Sequence, residues 1–473
     1  MRAIYLAIVL MGLTLNLWAV EGTTCRVLFD PVLVGPSQAE AELDRQLQAF
    51  IPQFGFEAVE RIEDFDPDLL ELGSLLFGDT RLSMTGDKSC FACHVNFLAT
   101  GDNFPLALGV EAKYGVGPSN VIQGYAKVTK RHTLPLFNKG HKEFTHLFAD
   151  GRVSYDSRRG QWVTPDPGLN QAAPGYEAIA KTLSSPLAAQ ALFPMVDVIE
   201  MRGESHQGLS NLQVWDRITQ SIVADPKYRD YFDRLFPGQT INIGHIGNAL
   251  AEVEKTVFQV TTTRWDKYLR GDLQAMTEQQ KRGAVLFAGK AKCATCHNGK
   301  HLTNFSFQNM LIPAISQTSL HVDKGRFDFT GRPGDEYRFM VPPLRNIGIF
   351  ENDFNLSAPY FHNGSALTLR EVLNHYNDPI GAFILYTPEK LNETYVDRFQ
   401  IFQKEFVRVG TEDDRRQQLA SRSPGLDVQL RLTEDELDDL EEFLKNALVE
   451  TEKETTPQMD RHTLKDTWKL PKP

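Results

Sequence analysis

The sequence predicts a mostly α-helical chain made of two related units, with long ordered loops and little β-structure. Three observations predict it. Apolar residues recur at helical spacing in several segments, while period-2 alternation is scarce. One helical pattern, Gly-x-x-Leu-Phe, occurs at Gly73–Phe77 and again at Gly283–Phe287, and each copy leads toward a cysteine cluster. Stretches rich in Gly, Pro and Asn (101–138, 151–174 and 298–343) separate the helices and read as loops ordered around something. At 473 residues, length alone suggests roughly three domains. The repeat reduces these to two units, 21–265 and 266–450, flanked by a leader, 1–20, and a charged, apolar-poor tail, 451–473, expected to be mobile.

Arg2 and the apolar run over 3–17, with Ala19 before a cleavage point, read as a secretory signal peptide. The run is shorter than the roughly 20 residues that span a bilayer. Residues 64–77 (DFDPDLLELGSLLF) carry acidic and Pro start signals before a helical apolar stripe. Residues 241–269 are helical in pattern and are expected to close the first unit. Residues 276–287 (MTEQQKRGAVLF) repeat the first pattern, with Thr277 as the N-cap. Residues 432–448 form an amphipathic helix, capped by Thr433 with Glu434 and Glu436 in its first turn.

Composition narrows the function. The hydrophobic fraction is 41% and the charged fraction 23%, which is ordinary for a globular chain and excludes wholesale disorder. Acidic residues number 61 against 50 Lys plus Arg, a net charge of −11. That argues against nucleic acid as the main partner, because phosphate binding draws on clustered cations. Five cysteines are too few for a disulfide scaffold at this length.

Four of the five fall into two C-x-x-C-H pentapeptides, Cys90-Phe91-Ala92-Cys93-His94 and Cys293-Ala294-Thr295-Cys296-His297. Two thiols three residues apart can add to the two vinyl groups of a haem, and the following His reaches the iron from the same side. A zinc ribbon wants its pairs roughly 15–20 residues apart, and these lie about 200 apart. A redox dithiol gives no reason for His in both copies. The expectation is two covalent haem c groups in two cytochrome c-like domains, with His94 and His297 as proximal ligands. Cys25 is left over: a surface thiol, an intermolecular bridge and an incidental residue near the cleavage point all stay open.

Around these motifs stand LLFGDTRLSMTGDKSC (75–90), FADGR (148–152), PLAAQALFPMVDVIEM (186–201), VPPLRN (341–346) and PYFHNG (359–364) followed by LTLREVLNHYN. Together, over 64–376 and in this order, they resemble the bacterial di-haem cytochrome c peroxidases and their MauG-like relatives. The resemblance implies a peroxide site at the N-terminal haem and an electron store at the C-terminal haem. It assigns the distal chemistry to Gln190, Pro194 and Glu200, with Met201 completing a Glu-Met pair. A carboxylate over the haem, Glu200, can shuttle a proton between the peroxide oxygens, and Gln190 can hydrogen-bond the oxidant. Arg152 and Arg345 read as forks for haem propionates. His362 and His375 read as structural hydrogen-bonders and Trp265 as core.

Three departures from the family pattern matter. The segment 109–131 contains Gly117-Pro118 but no His, so the displaceable His of reductively activated members is missing. His132 follows, where the family often has an Asn involved in calcium binding, which leaves an inter-haem calcium ion open. Ala358 occupies the position of the Met that ligates the C-terminal haem. Tyr360 is the leading substitute, Met340 and Met310 are alternatives, and plain packing of Tyr360 nearby is the bland reading. Ala149 stands where the family often has an inter-haem Trp, with Phe148 and Trp162 as candidates nearby.

Three functions are consistent with these readings. The first is an exported, periplasmic peroxidase that reduces hydrogen peroxide with electrons from a small cytochrome c or blue copper protein. The second is a MauG-like oxidase that uses peroxide to oxidise Tyr or Trp residues of a partner protein. The third is a non-catalytic di-haem electron carrier. The resemblance also makes a homodimer an open expectation, and the acidic balance suits a basic redox partner.

Overall fold

In the computed structural model, two helix crossings of the same design organise the chain. It describes residues 37–95, 99–102, 104–110, 128–317, 322–349, 359–399 and 407–451. The segment 1–20, Cys25, Gly117, Pro118, Ala358 and residues 452–473 of the tail lie outside them.

The first crossing starts at Asp66, whose side chain accepts from the backbone N–H of Asp68 and Leu69, with Pro67 at the first helical position. The Pro67–Phe77 helix then buries Leu70, Leu72 and Leu75–Phe77 and crosses the Ile243–Val257 helix. Gly73 sits at the contact point. A Cβ there would lie 2.0 Å from the carbonyl oxygen of Ala249. The second crossing repeats this. Thr277 and Gln280 form a capping box, and the Glu278–Ala288 helix crosses the Glu434–Glu442 helix. Gly283 is again the contact point, with a Cβ landing 2.0 Å from Asp439 O. The glycine of each Gly-x-x-Leu-Phe copy is therefore where two backbones meet.

Each crossing has its own core. The first gathers Leu76, Phe77, Leu192, Trp215, Ile246 and Phe258. The second gathers Trp265, Phe287, Leu437, Leu440 and Phe443. Trp265 is 1% exposed, stacks on Tyr268 at 5.8 Å and takes Phe56 and Phe443 edge-on. The Gln38–Phe54 helix, placed by sequence within 21–265, packs Leu47 into this second core. Lys281, fully buried, holds it through Glu40 at 2.7 Å and Asp44 at 3.0 Å, and Tyr268 donates its hydroxyl to Asp44.

The helical pattern over 241–269 is interrupted. One helix spans Ile243–Val257, and a new one starts at Arg264–Leu269, capped by Thr263 with Asp266. Asn138 pairs with both backbone groups of Val260, and Glu450 accepts from the N–H of Thr261 and Thr262. These side chains satisfy the backbone groups that a continuous helix would have used. The loop stretches hold more order than their composition implies. His146–Leu147, Val153–Asp156 and Gln161–Val163 form a three-stranded antiparallel sheet, with Leu147 opposite Val153 and Tyr155 opposite Trp162. Two two-stranded pairs join Phe307–Gln308 to Phe339–Met340 and Ile315–Ser316 to Arg408–Val409. Strands of two to four residues are too short to show a period of two. The fold is mostly α with little β. Among the described residues, no helix is long and apolar enough to cross a membrane.

Candidate active site

The loops enclose one cavity of about 1170 Å³ that both cysteine motifs line. The two motifs are built alike. Cys90–Cys93 is a single helical turn and Cys293–Thr295 a tighter one, and His94 and His297 each donate their backbone N–H to the carbonyl of the first cysteine at 2.8 Å. His94 Nδ1 lies 2.9 Å from Thr100 O, and His297 Nδ1 lies 2.9 Å from Leu302 O. A carbonyl can only accept, so Nδ1 carries the proton and Nε2 keeps its lone pair. Burial lowers both imidazoles to about 4, so they stay neutral at physiological pH. Phe77 and Phe287 flank the two rings at 6.5 Å each, tilted by 48° and 50°.

The thiols are also poised for a haem rather than for exchange. Burial pushes Cys93 and Cys293 up to about 12, and Cys90 upward for the same reason. A redox dithiol needs the opposite shift. Paired neutral thiols, an imidazole with a free Nε2 and a large, mainly apolar cavity fit two haem groups.

On the N-terminal side, Gln190 closes the short Pro186–Gln190 helix, Pro194 opens a 3₁₀ turn and Glu200 lies in the π-turn Val198–Arg202. All three line the cavity. Asp197 caps the π-turn by accepting from Ile199 and Glu200 N–H at 2.9 Å. Arg202 ties it down through the carbonyls of Val196, His206, Gln207 and Leu209. Val110 N–H bonds Ile199 O at 2.8 Å, and Gly109 lacks the Cβ that would strike the same carbonyl. Met201 is buried beside them. Burial and nearby Asp197 raise the Glu200 carboxyl to about 7, against the pull of Arg152 and Arg131. The Gln190 side-chain oxygen is buried without a hydrogen-bond partner.

Arg131, not singled out by sequence, is the electrostatic centre of the cavity wall. It forks onto Asp323 at 2.6 and 3.0 Å and reaches Asp150 at 2.8 Å. Arg152 shares Asp150 at 3.0 Å and lies 3.7 Å over the Phe148 ring. Arg345 is more tightly held. Its terminal nitrogens go to Asp266, Thr263 and the carbonyls of Glu57 and Lys300, and only Nε lacks a partner. A two-pronged grip on a propionate is thus open to Arg152 more readily than to Arg345.

Tyr360, Met310 and Met340 also line the cavity. Tyr360 is 4% exposed and donates to Ile347 O at 3.3 Å. Tyr376, to which the sequence pattern gives no role, also lines the cavity, and burial followed by the Cys293 and Cys296 thiols raises its hydroxyl. Phe148 and Ala149 line the wall, whereas Trp162 lies in the sheet with its Nε1 donating to Ala180 O. His375 bonds Met310 O at 2.9 Å. His362 stacks on Phe339 at 3.5 Å and accepts at its carbonyl from the backbone N–H of His132, and both residues line the cavity.

Helix crossings carrying C-x-x-C-H loops around one cavity define a two-centre haem oxidoreductase, and the comparisons with known proteins agree. Residues 67–274 match the family model described as di-haem cytochrome c peroxidase. The chain is 28% identical over 316 residues to cytochrome c551 peroxidase of Nitrosomonas europaea, covering 67% of this chain and 74% of that protein. It is 28% identical over 311 residues to methylamine utilization protein MauG of Methylorubrum extorquens, covering 66% and 69%. Its fold resembles the crystal structure of a MauG-like protein associated with microbial copper homeostasis, with a TM-score of 0.54, 24% identity and 85% and 95% coverage. The family match over 67–274 and the likeness to both cytochrome c peroxidases and MauG agree with the resemblance carried by the two C-x-x-C-H motifs.

Proposed function

We propose that the chain is an exported di-haem c-type peroxidase that reduces hydrogen peroxide beside Cys90-Cys93-His94. Electrons enter through the Cys293-Cys296-His297 centre. The two units are those expected, 21–265 and 266–450, except that the Gln38–Phe54 helix and Trp265 pack into the core of the second. One observation carries the reading: a buried carboxyl, Glu200, raised to about 7, on the wall of the cavity that this motif lines. When bound, the haems supply the redox chemistry. Reduction of one peroxide takes two electrons and two protons and yields two waters. Glu200 is ionisable near neutrality, so it can accept a proton from one peroxide oxygen and return it to the other. Gln190 orients the oxidant through its side-chain amide, and Pro194 fixes the turn between them. Arg152 neutralises a propionate, and Arg345 offers Nε alone. Tyr360 is the proposed second ligand of the C-terminal centre. An inter-haem calcium ion is disfavoured, because His132 offers nitrogen where calcium favours oxygen. The donor in this reading is a small cytochrome c or blue copper protein.

A second reading, a MauG-like oxidase of Tyr or Trp residues on a partner protein, is favoured by the lack of His over 109–131 and by Ala358. Steady-state assay with peroxide and reduced cytochrome c separates the two. Rapid turnover, lost by about 100-fold or more in Glu200→Gln, is expected for the peroxidase. Negligible turnover with a long-lived oxidised state points to the second reading. Two six-coordinate low-spin ferric centres inert to peroxide would overturn both and leave a plain electron carrier.

A further inference from the structure

Outside the haem cavity, His141, Glu143 and His301 converge, and none of them lines that cavity. Their ligand atoms all lie within 4.8 Å of one another, and Glu143 Oε2 is already 3.7 Å from His301 Nε2. The two imidazole rings meet edge-on at 4.8 Å. His301 is 2% exposed, yet neither of its ring nitrogens has a hydrogen-bond partner. His141 Nε2 and Glu143 Oε2 are likewise buried and unpartnered. Four unsatisfied polar atoms in one buried cluster run against the rule that such groups are paired.

We propose that these three side chains bind a divalent transition-metal ion of the zinc class. Two imidazoles and one carboxylate form a familiar donor set for zinc, with a fourth position left for water. Tetrahedral donors about 2.0–2.1 Å from zinc stand about 3.4 Å apart, so closure needs shifts of about 1 Å. Calcium is a poor occupant, since it takes six to eight oxygens and only one carboxylate is present. Lys300 engages the other carboxylate oxygen of Glu143 at 3.3 Å, which leaves Oε2 to the ion. Arg345, the nearby cation, is paired with Asp266.

Placement gives the ion a purpose. His141 and Glu143 follow Asn138, the residue that pairs with Val260, whereas His301 lies in the loop that follows His297. Leu302, the next residue, supplies the carbonyl that holds His297 Nδ1. A metal here pins the C-terminal proximal loop to the first unit.

The test uses the full chain with its haems, stripped by a chelator and dialysed against zinc, with metals counted by elemental mass spectrometry. One zinc per chain beyond the haem iron is expected, together with a higher melting temperature. Binding should weaken about tenfold or more in His301→Gln and in His141→Ala, the latter serving if the deeper substitution fails to fold. Haem content should not change. Substoichiometric zinc in the wild type, unaltered zinc in both variants, or retention of calcium but not zinc would overturn the proposal. Water alone would then satisfy the cluster.

Discussion

Glu200 shows how one residue's surroundings set its chemistry. Its carboxyl is raised from 4.5 to about 7, so it is largely protonated at pH 6 and largely ionised at pH 8. If it accepts the first proton, the rate of reaction with peroxide rises with pH and levels off above about 7. Stopped-flow measurements should show this rise in the wild type and a flat profile in Glu200→Gln. The same shift has a stability cost. Between pH 4.5 and 7 the folded chain holds this proton more tightly than the unfolded chain, so stability falls as pH rises. A second residue-level expectation concerns the cysteines. Cys90→Ser with Cys93→Ser should leave one covalent haem per chain by haem stain and iron count, the one on Cys293 and Cys296. The motif residues were legible because spacing alone carries their chemistry. Arg131, Asp150 and Asp323 were not, because residues 131 and 323 are brought together only by the folded loops.

At the scale of elements, the two Gly-x-x-Leu-Phe copies mark helix crossings, a meaning the pattern itself does not state. Sequence recognised the repeat, but the close approach depends on Ala249 and Asp439, each more than 150 residues away. Gly283→Ala should cost about 1–3 kcal/mol, because backbone rather than a flexible side chain blocks the new methyl. Urea titration of the holoprotein measures it. By contrast, Gly238→Ala meets nothing within 4 Å, although its φ of +73° disfavours any side chain. That pair separates clash from backbone strain. Helix starts were legible because Asp66, Thr277 and Thr433 act locally. The break after Val257 was not, because its determinants, Asn138 and Glu450, are remote in sequence.

At the scale of the whole molecule, the Gln38–Phe54 helix belongs to the second core. Its anchor is Lys281, which has no exposure and two carboxylate partners. Lys281→Ala leaves Asp44 buried with only the Tyr268 hydroxyl, and breaking such a pair typically costs about 3–5 kcal/mol. Limited proteolysis should then cut within 38–54 while the fragment from 67 onward stays intact. An uncut helix would show that Leu47 and its apolar neighbours hold it without the charge. The arrangement also has a kinetic side. Lys281 and Glu40 are 241 residues apart, so the helix leaves the ribosome long before its partner exists. Loop closure over such a span is slow and comes late in folding. The first unit can assemble around its own cysteine motif during that interval, and docking of the leading helix becomes the step that reports completion of the second.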